Sequence, residues 1–138
     1  MNILKVNTKT RKIGNIGEKI AKKHLKKEGY KIVKKNYVAA GYEIDIIAEN
    51  KDTIAFVEVK TRTIGHQNPK EPRPSSCVTP EKQRKIISCA KYYLAFTGNN
   101  TKRVSLDVIE VYLNEDGSEN KTIHMENAFN LNTAYNRR

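Results

Sequence analysis

Two cysteines, Cys77 and Cys89, are all that this chain of 138 residues contains. That is too few for a disulfide framework. No CxxC and no histidine at metal spacing surrounds them, which argues against zinc and leaves two ordinary thiols in a reducing compartment. Long apolar runs are missing too. Nothing approaches the roughly 20 apolar residues that span a bilayer. The first residues, Met1-Asn-Ile-Leu-Lys-Val-Asn-Thr-Lys9, carry no signal-peptide core. A soluble, cytoplasmic protein with no membrane partner is the expectation. Acidic residues are scarce in one place: residues 1–35 hold Glu18 and Glu28 against twelve Lys/Arg. Nearly all of the net charge of +11 therefore sits in the N-terminal quarter. Such a stretch suits a polyanion such as nucleic acid; a lysine-rich solvated helix face with no partner is the alternative.

What is present fits one domain by length, expected over 1–126, with a weakly structured tail over 127–138. The first helix is expected from Ile16 to Glu28, with Asn15 as N-cap and Gly29 as stop. Gly17, Ile20, Ala21, His24 and Leu25 recur on its apolar side. Lys19, Lys22, Lys23, Lys26 and Lys27 cover much of the rest. On that apolar side, His24 reads as a satisfied core histidine. Three strand-like segments follow, Tyr30–Tyr37, Tyr42–Ala48 and Thr53–Lys60, separated by short turns that suit an antiparallel meander. Residues 61–78, with Gly65, Pro69, Pro72 and Pro74, lose all periodicity. They read as a long basic loop carrying Arg62, Lys70 and Arg73. A second helix begins with Thr79 as cap, Pro80 at the first position and Glu81 in the first turn. Its apolar stripe is Ile86, Ile87, Ala90, Tyr93 and Leu94, and Gly98 ends it. A strand over Arg103–Tyr112 and a short one reaching His124 complete the order αβββαβ plus one extra strand.

The acids carry the chemistry. In Ile54-Ala-Phe-Val-Glu-Val-Lys60, side chains alternate, so Ile54, Phe56, Glu58 and Lys60 share one face. Both faces are apolar up to Glu58, as in a strand covered on both sides. A charge in such a strand is costly unless it is paired or binds a metal. Tyr42-Glu43-Ile44-Asp45-Ile46-Ile47 repeats the conflict. A hairpin across residues 49–52 sets Asp45 roughly opposite residues 56–58, within reach of a cation shared with Glu58. Phosphodiester hydrolysis needs a hard cation, and Mg²⁺ or Mn²⁺ prefers oxygen ligands. Asp45, Glu58 and the Val59 carbonyl could supply them, with Lys60 orienting the attacking water. Acid-x-Lys alone means little, because Glu49-Asn-Lys51 and Glu119-Asn-Lys121 repeat it in polar turns. The weight rests on charge placed in strands that otherwise look buried, and a structural Glu58–Lys60 ion pair stays open.

Several segments in order resemble a known family: Gly14-Asn-Ile-Gly-Glu18 with Ala21, Gly41-Tyr-Glu-Ile-Asp-Ile-Ile-Ala48, Phe56-Val-Glu-Val-Lys-Thr-Arg62, Lys82-Gln83 with Lys85-Ile86 and Ala90, and Val104-Ser-Leu-Asp-Val-Ile109. Over roughly residues 11–113 the chain resembles the YraN family of bacterial predicted endonucleases, related to archaeal Holliday junction resolvases. The resemblance implies an α/β, restriction-endonuclease-like PD-(D/E)XK core with a mixed central sheet flanked by helices. It implies a Mg²⁺- or Mn²⁺-dependent endonuclease acting on DNA, branched or damaged DNA included. Asp45, Glu58 and Lys60 match the active-site motif. Glu18 matches a helix glutamate that can complete the metal site, although Asn15-x-x-Glu18 also fits a capping box. Gln83 matches a polar residue facing the site, although an exposed helix position explains it nearly as well. The family often has a second glycine where this chain has Tyr42. Lys19, Lys22, Lys23, Lys26, Arg62, Lys82 and Lys85 are the candidate phosphate contacts, positioning rather than sequence-reading. A two-fold symmetric junction substrate would call for a homodimer. Two other readings remain: a non-catalytic nucleic-acid-binding protein that keeps the fold, and a basic protein that docks on an acidic protein partner.

Overall fold

The computed structural model describes residues 3–64, 78–98 and 101–129, with side chains from residue 11 onward. The element order is α1 (Ile3–Lys27), β1 (Lys31–Ala39), β2 (Tyr42–Glu49), β3 (Thr53–Thr63), α2 (Pro80–Thr97), β4 (Arg103–Leu113) and β5 (Glu119–Phe129). The strands form one mixed sheet in the order β1-β2-β3-β4-β5. The β1-β2 and β2-β3 pairs are antiparallel, as the meander pattern predicts, and so is β4-β5. Only β3-β4 is parallel, and α2 makes that crossover. The chain is thus an α/β protein with a five-stranded mixed sheet and two helices. Among the described residues no helix is long and apolar enough to cross a membrane.

The sheet has two apolar faces. Ile44, Ile47, Ile54, Phe56, Leu106 and Val108 pack with Ile86, Ile87, Ala90 and Tyr93 of α2. Ile46, Ala48, Ala55, Val57, Ile109, Val111 and Leu113 pack with Ala21 and Leu25 of α1. This double cover explains why β3 is buried without interruption from Thr53 to Glu58. On α2, the cap reads directly from sequence. Thr79 Oγ1 accepts from the Lys82 N–H at 3.2 Å, Pro80 opens the helix, and Gly98 closes it at φ 69° with its N–H on Leu94 O.

Three expectations change. Helix α1 begins well before Ile16, so Asn15 lies inside it and is neither an N-cap nor part of a capping box. The apolar spacing continues upstream through Ile13 and Ile16, which pack on the α1-side core. That packing outweighs the roughly 1 kcal/mol helix cost of Gly14. Strand β3 runs on to Thr63, so Thr61 and Arg62 belong to the sheet and not to the loop. The rest of that expected loop, Lys70 and Arg73 included, lies outside the described residues. Strand β5 continues past His124 to Phe129, into the segment expected to be a tail, because Phe129 is buried and Ala128 packs beside it.

Candidate metal and nucleic-acid site

The β2-β3 hairpin sets the geometry. Asn50 Oδ1 accepts from the N–H groups of Asp52 (2.9 Å) and Thr53 (2.8 Å), and the Asn50 N–H donates to Thr53 O. This Asx turn fixes the register Ile46↔Val57 and Ile47↔Phe56. One step further along, Asp45 comes level with Glu58. There the alternation of β2 breaks: Ile44 faces the α2 side, yet Ile46, two residues on, faces the α1 side. Asp45 sits at that break, and its Oδ2 accepts the Val59 N–H at 2.8 Å. Val59 therefore enters the site through its N–H, while Asp45 closes the end of the β2-β3 ladder.

Glu58 lies on the α2 side and is 8% exposed. Lys60 Nζ stands 3.5 Å from Glu58 Oε2, and the Tyr42 hydroxyl donates to the same oxygen at 3.5 Å. Lys82, in the first turn of α2, also acts on Glu58. Lys82 is pushed below the usual lysine range, first by its hydrogen bond with Lys60 and then by burial. Two ammonium groups thus converge on one carboxylate. Tyr42, where the family often has glycine, is no idle replacement. Burial and the neighbouring Glu58 and Asp45 hold its phenol well above the ordinary value.

The carboxylates press on one another. Asp45 is pushed up to about 7, by burial first and then by the negative charge of Glu58, with the Val59 N–H pulling the other way. Burial also raises Glu58, while Lys60 and Lys82 counter it. Two lysines offset the burial of Glu58, whereas Asp45 has one amide to offset its own. Glu18 of α1 is raised as well, by burial and then by Glu43, with Lys22 and Lys35 countering and Glu58 adding to it. With the capping box gone, this acid-rich setting is what distinguishes Glu18.

The other expected residues are spread more widely. Gln83 is anchored by its own side chain, whose Nε2 donates to Val78 O at 3.1 Å; its Oε1 is buried with no hydrogen-bond partner among the described residues. Arg62 is committed inward, its Nε donating to the fully buried Glu110 at 2.8 Å, beside the Tyr112 hydroxyl. That ion pair holds the Arg62 side chain against the sheet. Lys19, Lys23 and Lys26 are exposed on α1. Lys22 is half-buried beside Lys35, and burial followed by Lys35 lowers it. Lys85 is exposed and sits 4.0 Å from Glu81, one helical turn away. A cleft of about 480 Å³ beside Ile13, Ile16, Thr63 and Leu113 includes none of the site acids.

Sequence reasoning missed Tyr42 as a Glu58 partner, Lys82 as a second ammonium at Glu58, and Glu110 as the acceptor of Arg62. Glu110 left a signal, being an acid inside the apolar run Val108-Ile-Glu-Val111, the same conflict that marks Glu58.

The comparisons with known proteins agree on kinship. The model of the uncharacterised protein family UPF0102 matches residues 17–111. A UPF0102 protein of Caldanaerobacter subterraneus subsp. tengcongensis is 45% identical over 126 residues, covering 91% of this chain and 98% of that one. A UPF0102 protein of Desulfosudis oleivorans is 44% identical, covering 88% and 92%, and one of Clostridioides difficile is 43% identical, covering 84% and 95%. The match takes in Glu18, Asp45, Glu58, Lys60 and Gln83. The chain belongs to the uncharacterised protein family UPF0102, the YraN family that its ordered motifs resemble.

Proposed function

We propose that this protein is a Mg²⁺- or Mn²⁺-dependent endonuclease with a PD-(D/E)XK-type site that hydrolyses phosphodiester bonds in DNA. One observation carries the reading: Asp45 and Glu58 come side by side at the end of a buried hairpin, and burial raises both. Two carboxylates that resist ionising together are a site short of positive charge. The donor set fits a hard divalent ion, because carboxylate and carbonyl oxygens are what such ions take. Asp45, Glu58 and the Val59 carbonyl would hold it, with Glu18 completing the set. When bound, the ion supplies charge neutralisation at the phosphate and a more acidic water.

The remaining steps belong to the chain's own groups. Asp45 gives up its proton and is held in place by the Val59 N–H. Lys60, 3.5 Å from Glu58, donates a hydrogen bond that orients the attacking water. Lys82 adds positive charge where the phosphate arrives. The exposed lysines of α1 hold the nucleic-acid backbone without reading sequence.

The test is incubation of the purified chain with single-stranded, duplex and four-way-junction DNA plus Mn²⁺. Cleavage that Asp45→Ala/Glu58→Ala abolishes is expected. Cleavage no greater than that of the double variant overturns the proposal. A second reading, a non-catalytic nucleic-acid-binding protein, draws on a specific observation: Lys60 and Lys82 already compensate Glu58 without any metal. DNA binding with steep salt dependence and no cleavage would decide for it.

A further inference from the structure

The acids of the proposed nuclease site leave a second cluster unexplained. By strand alternation Asp107 shares the α1 face of the sheet with Ile109 and Val111, opposite the face that carries Glu58. It is 1% exposed. Its Oδ1 accepts from Ser105 Oγ and from the Asn127 N–H, and its Oδ2 lies 2.8 Å from His124 Nε2. His124, on edge strand β5, has a side chain only 6% exposed. Its other nitrogen, Nδ1, is buried and has no hydrogen-bond partner among the described residues. Leaving such an atom unmatched is costly.

The neighbours of His124 supply a reason for it. The His24 ring meets the His124 ring edge-on, with centroids 5.2 Å apart. His24 and Glu28 lie four residues apart at the end of α1, where the Glu28 N–H donates to His24 O at 3.1 Å, so both side chains face the same way. One donor atom from each of His24, Glu28 and His124 falls within 4.8 Å of the others. Donors on a tetrahedral ion at ~2.1 Å stand about 3.4 Å apart. Reaching that spacing takes side-chain rotation, and Glu28 is exposed. The carbonyl end of α1 adds partial negative charge. Lys23 and Lys27, both exposed residues, line an adjoining pocket of about 80 Å³ with His24 and Glu119.

We propose that His24, Glu28 and His124 bind one Zn²⁺ ion per chain, with Asp107 as the positioning residue. Asp107 takes the Nε2–H of His124, which fixes the tautomer and turns the Nδ1 lone pair to the ion. Three protein ligands leave a fourth position for water. The ion ties the last turn of α1 to β5, an edge strand. The two sites differ in chemistry: imidazole suits Zn²⁺, whereas the all-oxygen set around Asp45 suits Mg²⁺ or Mn²⁺. Sequence reading passed over this cluster because its histidines lie at opposite ends of the chain and only the fold brings them together.

The experiment is calorimetric titration of the metal-free full chain with ZnCl₂, in the natural sequence and in Asp45→Asn/Glu58→Gln, which disables the oxygen site. One Zn²⁺ per chain is expected in both. His24→Gln and Glu28→Gln, each at a position with solvent exposure and each checked for folding by circular dichroism, should weaken uptake at least ~10-fold. Absence of Zn²⁺ uptake in the Asp45→Asn/Glu58→Gln background overturns the proposal, and so does uptake indifferent to His24→Gln and Glu28→Gln. Neither result depends on nuclease activity.

Discussion

In the proposed site Asp45 is the residue on which most of the chemistry would turn, and its proton is the handle. An unfolded aspartate titrates near 3.9, whereas the folded group is pushed up to about 7. A raised carboxylate is disfavoured when ionised, so it costs the fold stability. The cost is nil below the unfolded value, grows as pH rises through the interval, and is complete above about 7. Asn at this position keeps an acceptor for the Val59 N–H and removes the charge. In metal-free buffer, Asp45→Asn should therefore be more stable than the natural chain by about 1–3 kcal/mol at pH 8, and by almost nothing near pH 4. Thermal or urea denaturation across that range measures it, and equal stability at pH 8 would refute the electrostatic account of the site. At this scale the sequence was legible where charge interrupted an apolar strand at Asp45 and Glu58, while the same signal at Glu110 went unread. It was not legible where a partner arrives from another element: Tyr42 and Lys82 reach Glu58, and Glu110 holds Arg62, only once the sheet is assembled.

Among the elements, α1 sits where it does because of one glycine. Gly17 is buried, and a Cβ there would lie 1.9 Å from Thr61 Oγ1 and 2.9 Å from Thr61 Cβ. Thr61 is short and branched on a central strand, so it has little room to move. Gly17→Ala should cost about 1–3 kcal/mol by overpacking, despite the better helix propensity of alanine. It should also displace the neighbouring Glu18 from the acids. A denaturant midpoint at or above that of the natural chain would show that the close approach of α1 to β3 is not required. The same helix shows why boundaries were harder to read than elements. Its core stripe was plain, but Asn15 resembled an N-cap, and local propensity gave way to the packing of Ile13 and Ile16. The α2 cap was legible because Thr79 and Pro80 act locally and need no tertiary partner. The last part of β5 was not, since its reason is the burial of Phe129 against a distant core.

At the scale of the whole molecule, the charge is the main lever. The sheet and its two helices place exposed Lys19, Lys23 and Lys26 along α1, on the element that also carries Glu18. If these lysines neutralise phosphates, DNA affinity should fall steeply with salt. Replacing the three by alanine should reduce the slope of log K against log[salt] by about 0.9 for each phosphate no longer neutralised. Fluorescence anisotropy between low and physiological salt measures it, and an unchanged slope would remove α1 from the interface. The element order and the antiparallel pairing of the first three strands followed from the alternation of apolar residues, and the hairpin across residues 49–52 already set Asp45 opposite residues 56–58; the Asn50 turn fixes that register. The most direct test of the proposed site is a crystal of the full chain soaked in Mn²⁺ above pH 7 and measured for anomalous scattering. The expected result is one ion between the carboxylates of Asp45 and Glu58, touching the Val59 carbonyl. Glu58 still paired with Lys60 and Lys82, with no ion beside Asp45, would contradict it.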